Sequence, residues 1–146
     1  MNELLNEVKQ MHSEIIEWRR HFHQNAELSF EEYKTSDFIE EKLKSFGGIE
    51  IERPTKTGVI GKIYGAGKGP TIALRADIDA LPMTEENDIP FVSVNKEAMH
   101  SCGHDGHAAI LLGIAKIFAA KKEKLNGNII CIFQLRSFLP EEQLSL

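Results

Sequence analysis

The stretch MHSCGHDGH, residues Met99–His107, carries the densest group of reactive side chains in this sequence. Its potential ligands are His100, Cys102, His104, Asp105 and His107. Cysteine thiolate and imidazole are good ligands for zinc and similar divalent ions. Only Gly103 separates Cys102 from His104, and a glycine lets the backbone turn without a side chain in the way. The spacing therefore predicts that these two donors share one metal site.

The residues that follow are apolar and predict a helix, so Asp105 stands where an N-cap residue would and His107 lies in the first turn. The positive end of the helix dipole would favour the thiolate form of Cys102, which is the form that binds metal. A capped loop with surface histidines and a catalytic cysteine–histidine pair are the alternatives. A closed structural zinc site would need further ligands, and the histidines outside this stretch all belong to the first helix or its end: His12, His21 and His23.

A second cluster follows an apolar run in LRADIDALP, where Arg75, Asp77 and Asp79 come at the end of a predicted buried strand. Charges at the carboxyl end of a strand are held rigidly next to a loop that opens to solvent, and sites in α/β proteins are often built there. An acidic group in this place can orient a metal-bound histidine. The alternative is an internal ion pair between Arg75 and one of the aspartates.

Two helices are expected to precede these clusters. Apolar residues at steps of three and four predict one amphipathic helix that ends near His23, with its apolar stripe in the core. This stripe consists of Leu4, Val8, Met11, Ile15, Trp18 and Phe22. Ser29 and Glu32 have the spacing of a capping box and predict a second helix that continues to Phe46.

The remaining elements are predicted to build a sheet. Residues 49–53, 58–64 and 71–76 read as strands, the last two joined in a hairpin that feeds an inner strand. Residues 108–120 are apolar almost all round and predict a helix that is buried on more than one side. Residues 128–133 read as a central strand. This order predicts an α/β fold with a central mixed sheet flanked by helices.

The charge and composition of the chain exclude some classes of partner. The chain has 146 residues, a formal net charge of -5 and 42% hydrophobic residues, as in one ordinary globular domain. This charge provides no attraction for phosphate backbones or anionic lipids, so nucleic acid and membrane are not expected partners. The sequence has no signal-like or membrane-spanning run, and we expect a cytoplasmic protein. Of the two cysteines, Cys131 lies in an apolar run and is predicted to be a small buried core residue.

Three collinear stretches resemble landmarks of the M20 metallopeptidase family. They are RRHFHQNAELSFEE (Arg19–Glu32), LRADIDALPM (Leu74–Met83) and MHSCGHDGHAAILLG (Met99–Gly113). The match is best to the amidohydrolase branch, which includes N-acyl-amino-acid, hippurate and auxin-conjugate hydrolases. The resemblance implies hydrolysis of the amide bond of a small N-acyl amino acid to a carboxylic acid and a free amino acid.

The same resemblance implies a site with two divalent ions, zinc or manganese. Cys102 resembles the bridging ligand and His104 a terminal ligand, whereas Asp79 resembles the catalytic-site aspartate that supports a metal-ligand histidine. Asp77 stands where other branches of the family carry a metal-binding histidine. The residues expected to support the ligands or to face the substrate are Arg75, Asp77, His100, Asp105 and His107.

The resemblance ends at Gln134. Members of this branch continue with Pro-Ala-Glu-Glu, in which the first glutamate is the general base, whereas Glu141 and Glu142 stand further along this chain and are not expected to replace the pair. We therefore expect residues 1–134 to be the N-terminal portion of the catalytic domain and residues 135–146 to be an aberrant, out-of-frame tail. The lid and dimerisation domain and the general-base glutamate are expected to be absent.

These expectations lead to two hypotheses of different classes. The first is an amidohydrolase of the M20 type in a truncated form that is inactive by itself, because two ligands hold a metal weakly. The second is a non-catalytic module that binds a metal or a partner. In both, an uncovered sheet edge would favour association of the chain, for example as a homo-oligomer.

Overall fold

The computed structural model describes residues 2–135, which form one mixed sheet with helices packed on one face. The helices are α1 (Asn2–Gln10), α2 (His12–Gln24), α3 (Tyr33–Phe46) and α4 (His104–Ala120), with a short 3-10 turn at Lys122–Lys124. The strands are β1 (Glu50–Glu52), β2 (Val59–Tyr64), β3 (Gly67–Asp77) and β4 (Asn126–Gln134). The predicted α/β class with a central mixed sheet and flanking helices is confirmed.

The strand order is β1-β2-β4-β3, so the predicted hairpin between β2 and β3 is wrong. β4 lies between them, antiparallel to β2 and parallel to β3, with α4 in the connection from β3 to β4. The glycine-rich link after β2 bonds to the start of β4 instead, since the Gly65 amide donates to the Gly127 carbonyl at 3.0 Å. A Cβ at Gly65 would lie 2.3 Å from the Leu125 carbonyl oxygen, so this close approach requires glycine.

The same topology corrects the prediction that β3 is a buried inner strand. In the described part of the chain β3 is an edge strand, and most of its residues are exposed up to Arg75. The central strand is β4, as predicted, and its side chains alternate between buried and half-buried positions. Cys131 is fully buried there, and burial raises the pKa of its thiol to about 12, which fits the predicted core role.

The N-terminal helix is interrupted, which corrects the prediction of one continuous helix whose stripe is core. α1 ends at Gln10 and α2 begins at His12. Trp18 and Phe22 are buried and Met11 and Ile15 pack against the core, but Leu4 and Val8 are about 40% exposed. The reason is the length of α4. Lys121, which follows the end of α4, pairs with Glu7 at 2.7 Å and with Glu3 at 3.8 Å, so α1 lies beside the end of α4 and leaves part of its apolar stripe outside the core.

The predicted capping box at the second helix is also wrong. Phe30 has a positive φ of 71°, which turns the chain between Ser29 and Glu32, and α3 begins only at Tyr33. Glu27 caps the helix instead, because its carboxylate accepts hydrogen bonds from the amides of Lys34 at 3.2 Å and Thr35 at 2.8 Å. Ser29 and Glu32 keep side-chain oxygens that are buried without a hydrogen-bond partner among residues 2–135.

α4 is the central element of the core and is buried on several sides, as its composition predicts. Its buried apolar residues are Ala108, Ala109, Leu111, Leu112, Ala115, Ile117 and Ala119. Burial of each leucine or isoleucine in this set contributes about 1.5–3 kcal/mol to the free energy of folding. α4 packs on β2, β3, β4, α2 and α3, and so holds its first turn at a fixed place next to the end of β3.

One sequence prediction falls on residues that the structure does not describe. Residues 136–146, which include Glu141 and Glu142, lie outside the described residues, so the predicted tail is not tested. Within residues 2–135, no helix is both long enough and apolar enough to cross a bilayer.

Candidate metal-binding site

The first turn of α4 and the loop before it bring the predicted donors to the end of β3. Reciprocal backbone hydrogen bonds of 3.0 Å between Leu81 and Met99 tie the start of this loop to the segment after β3. Gly103 is the N-cap of α4, with a φ of 86°, and this left-handed conformation is the one that favours glycine. Cys102 is exposed just before this turn, and His104 is the first residue of the helix.

Asp79 orients the His104 ring. The Nδ1 atom of His104 lies 3.0 Å from the Asp79 Oδ1 atom and 3.0 Å from the Asp79 carbonyl oxygen. Both oxygens are acceptors, so Nδ1 carries the proton and donates, which in the neutral ring leaves the lone pair on Nε2. A carboxylate on the far nitrogen is how proteins orient metal-binding histidines. Asp79 is buried, with 3% of its surface exposed.

The pair of donors suits a zinc-type ion. Cys102 is a free thiol at the protein surface, and His104 is half-buried with Nε2 available as a ligand. Thiolate together with imidazole is a donor set for zinc and related ions. No group of three or more His, Cys, Asp or Glu side chains suited to a metal occurs among residues 2–135. Cys102 and His104 are therefore candidate ligands, and the described residues offer no third one beside them.

Asp105 is not the N-cap that the sequence suggested; it lies inside the first turn and points into the protein. One oxygen, Oδ2, accepts hydrogen bonds from His23 Nδ1 at 2.7 Å and from Arg19 Nε at 2.9 Å. The other, Oδ1, accepts from the Gly106 amide at 2.8 Å. The side chain is 1% exposed. A buried carboxylate needs such partners, so Asp105 fixes α4 to α2.

Sequence reasoning missed the residues that complete this network. The Nε2 atom of His23 donates to Glu85 at 2.9 Å, and Glu85 also accepts from the Ser93 amide at 2.7 Å and from Asn87 at 3.0 Å. Burial alone would raise the pKa of Glu85, but these hydrogen bonds outweigh it and lower the pKa to about 2. The available signal was that Arg19 and His23 stand four residues apart and share one side of the helix.

His100 lies beside the network without joining it. Its ring is buried, and neither nitrogen has a hydrogen-bond partner among residues 2–135. The ring centroid is 6.4 Å from that of His23. Burial lowers the pKa of His100 to about 4, a larger effect than the opposite one of Asp105, so this ring is neutral at pH 7.

The other predicted residues lie at the margin of the site. Arg75 and Asp77 stand at the end of β3 and form an ion pair of 3.7 Å, which is the alternative that the sequence left open. Asp77 also accepts from Gln134 at 3.4 Å. His107 is exposed on α4, with its ring centroid 6.3 Å from that of His104.

Glu32 is a further buried carboxyl that the sequence did not single out for chemistry. It has no exposed surface, and neither oxygen has a hydrogen-bond partner among residues 2–135. Burial raises the pKa of this carboxyl, and the neighbouring backbone of Glu32 and Phe30 and the Thr57 side chain offset only part of that rise.

Known proteins resemble this chain in both sequence and fold. Residues 73–136 match the model of peptidase family M20/M25/M40. The chain is 50% identical over 131 residues to an N-acyl-L-amino acid amidohydrolase of Geobacillus stearothermophilus, covering 90% of this chain and 35% of that protein. It is 49% identical over 126 residues to an N-acetyl-L-cysteine deacetylase of Bacillus subtilis, covering 85% of this chain and 30% of that protein.

The fold is similar to that of a solved dinuclear metal-binding peptidase of the M20 family from Bacillus subtilis. The two align with a TM-score of 0.81 and 43% sequence identity over 86% of this chain and 35% of the other. The chain thus spans about a third of the length of the curated relatives it matches. On these matches, the chain belongs to peptidase family M20/M25/M40.

Proposed function

We propose that this chain carries part of the active site of a metal-dependent amidohydrolase, in which Cys102 and His104 bind a divalent ion. The observation that carries the proposal is the orientation of His104 by Asp79, which leaves Nε2 unprotonated next to an exposed thiol. Zinc or manganese is the proposed metal, and a second ion would need donors outside residues 2–135. When bound, such ions polarise an amide carbonyl and lower the pKa of a bound water.

The roles of the neighbouring residues follow from their contacts. Asp79 holds the proton on His104 Nδ1 and keeps the ring in place, so it is proposed as a positioning residue of the site. His100 is neutral and buried beside the donors, and it can offer a hydrogen bond to a polar group that enters the site. Arg75, Asp77 and His107 are proposed to face the substrate or to support the margin of the site.

The proposed substrates are small N-acyl amino acids, which would be cleaved to a carboxylic acid and a free amino acid. The names of two relatives support this class, since one is an N-acyl-L-amino acid amidohydrolase and the other an N-acetyl-L-cysteine deacetylase. Both relatives are about three times as long as the stretch that they share with this chain.

The metal site can be tested with Co²⁺, which reports its ligands by absorption. We expect the purified chain to show a sulfur-to-cobalt charge-transfer band that Cys102→Ser abolishes. His104→Ala should weaken Co²⁺ binding, because it removes the second donor. His12→Ala removes an exposed histidine of α2 and serves as the matched control. Binding that is unchanged by Cys102→Ser and His104→Ala would contradict the proposal.

Catalysis by the chain alone is a separate question. We expect no hydrolysis of N-acetyl amino acids or hippurate in the presence of zinc or manganese, because two ligands bind a metal weakly. Measured release of the free amino acid checks this. Hydrolysis that Cys102→Ala abolishes would overturn the expectation and would show a complete site.

A non-catalytic metal-binding or interaction module remains the second candidate. The observation that bears on it is that residues 2–135 offer no group of three potential ligands, so a partner could supply the others. This candidate predicts stoichiometric metal in the isolated protein, or a stable complex whose partner supplies the missing ligands. Metal analysis of the peak from size-exclusion chromatography distinguishes it from the first proposal.

A further inference from the structure

We infer that His23 is a positioning residue, which fixes the start of α4 through Asp105 and thereby holds Cys102 and His104 in place. His23 lies in the last turn of α2, 82 residues before Asp105 in the sequence. It touches neither donor of the proposed metal site. The effect of His23 on metal binding rests on the proposed function, but the contact between His23 and α4 can be tested by itself.

The geometry assigns a proton to both ring nitrogens of His23. Nδ1 lies 2.7 Å from an oxygen of Asp105, and Nε2 lies 2.9 Å from an oxygen of Glu85. A carboxylate oxygen only accepts, so each nitrogen donates and the ring carries a positive charge. The side chains of His23, Asp105 and Glu85 are 4%, 1% and 1% exposed, so water screens these contacts little.

This ring joins three parts of the chain that are distant in sequence. His23 belongs to α2, Asp105 to the first turn of α4, and Glu85 to the irregular segment between β3 and α4. Arg19 supplies a second cation to Asp105 at 2.9 Å, which brings two positive charges to two negative ones. Phe91, from the same irregular segment as Glu85, packs edge-on to the His23 ring at 5.6 Å between centroids. The cluster of Arg19, His23, Glu85 and Asp105 thus has no net charge, and the Phe91 ring covers one side of the histidine.

The consequence for the metal donors comes from the order of residues in α4. His104 and Asp105 are neighbours in its first turn, and they are held by different elements. Asp79 sets the direction of the His104 ring, whereas His23 and Arg19 set the position of the backbone that carries it. If the Asp105 contact is lost, the first turn is free to move relative to Asp79, and the two donors no longer meet an ion in a fixed geometry.

Two substitutions of His23 separate these contacts. In His23→Asn the amide nitrogen takes the place of Nδ1 and keeps the donor to Asp105, while the contact to Glu85 is lost. In His23→Gln the amide nitrogen takes the place of Nε2 and keeps the donor to Glu85, while the contact to Asp105 is lost. Both variants lose the charge and one of two buried hydrogen bonds, so a role in general stability would affect them alike.

The first measurement is Co²⁺ affinity of the whole chain, followed by its absorption spectrum. We expect His23→Gln to lower the affinity by about tenfold or more, as removal of groups that orient ligands does in other sites. His23→Asn should stay within about threefold of the wild type. Equal affinities for the two variants, or affinities that follow their urea unfolding midpoints, would overturn the inference.

The second measurement does not depend on metal. The His107 amide donates to the Gly103 carbonyl at 3.1 Å and reports whether the first turn of α4 opens. In the metal-free chain, its hydrogen exchange should be at least about tenfold faster in His23→Gln than in His23→Asn. Equal exchange rates refute the role of His23. If exchange differs but no band requires Cys102, the proposed metal pair fails while the anchoring of α4 stands.

A third variant covers the case in which His23→Gln does not fold. Arg19→Gln weakens the same Asp105 contact from a side chain that is 38% exposed, so the fold tolerates it more easily. We expect a Co²⁺ affinity about threefold lower than that of the wild type. An unchanged affinity would contradict the positioning role of the Asp105 contact.

Discussion

The two ends of α4 are both held by charged residues, but in different surroundings. In the first turn, Asp105 is 1% exposed and accepts from His23 at 2.7 Å. Near the last turn, Lys116 pairs with Glu14 at 2.6 Å, with side chains that are 37% and 38% exposed. The contacts have similar lengths, yet water screens only the second. Distance alone therefore does not rank these contacts, whereas burial does.

The difference in burial between the two ends of α4 also agrees with the proposed function. The end that carries the proposed metal donors is anchored by buried charges from α2 and from the segment between β3 and α4, whereas the charge contact at the distal end lies at the surface. A site that must hold ligands in fixed geometry needs support of the first kind. Removing one contact at a time tests whether the two ends of α4 differ in stability as this comparison implies.

The largest effect is expected from Asp105→Ala. This change leaves the buried His23 and the Arg19 guanidinium without their shared counter-charge, and breaking a buried pair from one side costs about 3–5 kcal/mol. Urea unfolding at pH 7 measures the free energy directly. A loss below about 1 kcal/mol would mean that the buried end is held no more firmly than the exposed one.

A smaller effect, dependent on pH, is expected from Glu85→Gln. At pH 7 the loss of charge-assisted hydrogen bonds should cost about 1.5–3 kcal/mol. The pKa of Glu85 is lowered to about 2 in the folded chain from an ordinary 4.5. The unfolded chain therefore binds the proton first on acidification, and the contribution of Glu85 is complete above about pH 4.5 and is lost as the pH falls toward 2.

The measurement for Glu85 is the difference in unfolding free energy between wild type and Glu85→Gln at several pH values. Titration of the groups that do not contact Glu85 cancels in this difference to a first approximation. It should shrink as the pH falls below about 5, as the folded and unfolded pKa values of Glu85 require. A difference that does not change with pH would show that the charge of Glu85 contributes nothing.

The smallest effect is expected from Glu14→Gln. Its ion pair with Lys116 is about one-third exposed on both sides, and such pairs contribute about 0–1 kcal/mol. High salt should reduce even this contribution, whereas it should leave the effect of Asp105→Ala nearly unchanged. A cost for Glu14→Gln equal to that of Asp105→Ala would remove the contrast between the two ends.

The sequence predicted the elements whose signal is local. The periodicity and apolar runs gave β2, β4 and α4 to within a few residues, and Cys131 is buried as its neighbours indicated. The failures have specific causes. The capping box failed because Phe30 turns the chain between its two members, and the hairpin failed because β4, more than fifty residues later, enters between β2 and β3.

The site residues also divide into those with a local sequence signal and those set by distant contacts. Cys102 and His104 could be found because they are neighbours in one short motif. The contacts of His23 to Glu85 and Asp105 span 62 and 82 residues, and no local pattern reports which buried histidine meets which carboxylate. Asp79 could be predicted as a partner of a histidine through the resemblance, although the roles of these residues stay predictions until metal binding is measured.

The most direct test of the central claim is X-ray absorption spectroscopy of the zinc-loaded chain. We expect one sulfur ligand at about 2.3 Å and nitrogen at about 2.0–2.1 Å from the zinc ion. The sulfur contribution should disappear in Cys102→Ser, and the nitrogen contribution should fall in His104→Ala. A zinc ion surrounded by oxygen and nitrogen alone in the wild type, with a spectrum that neither substitution changes, would contradict the account.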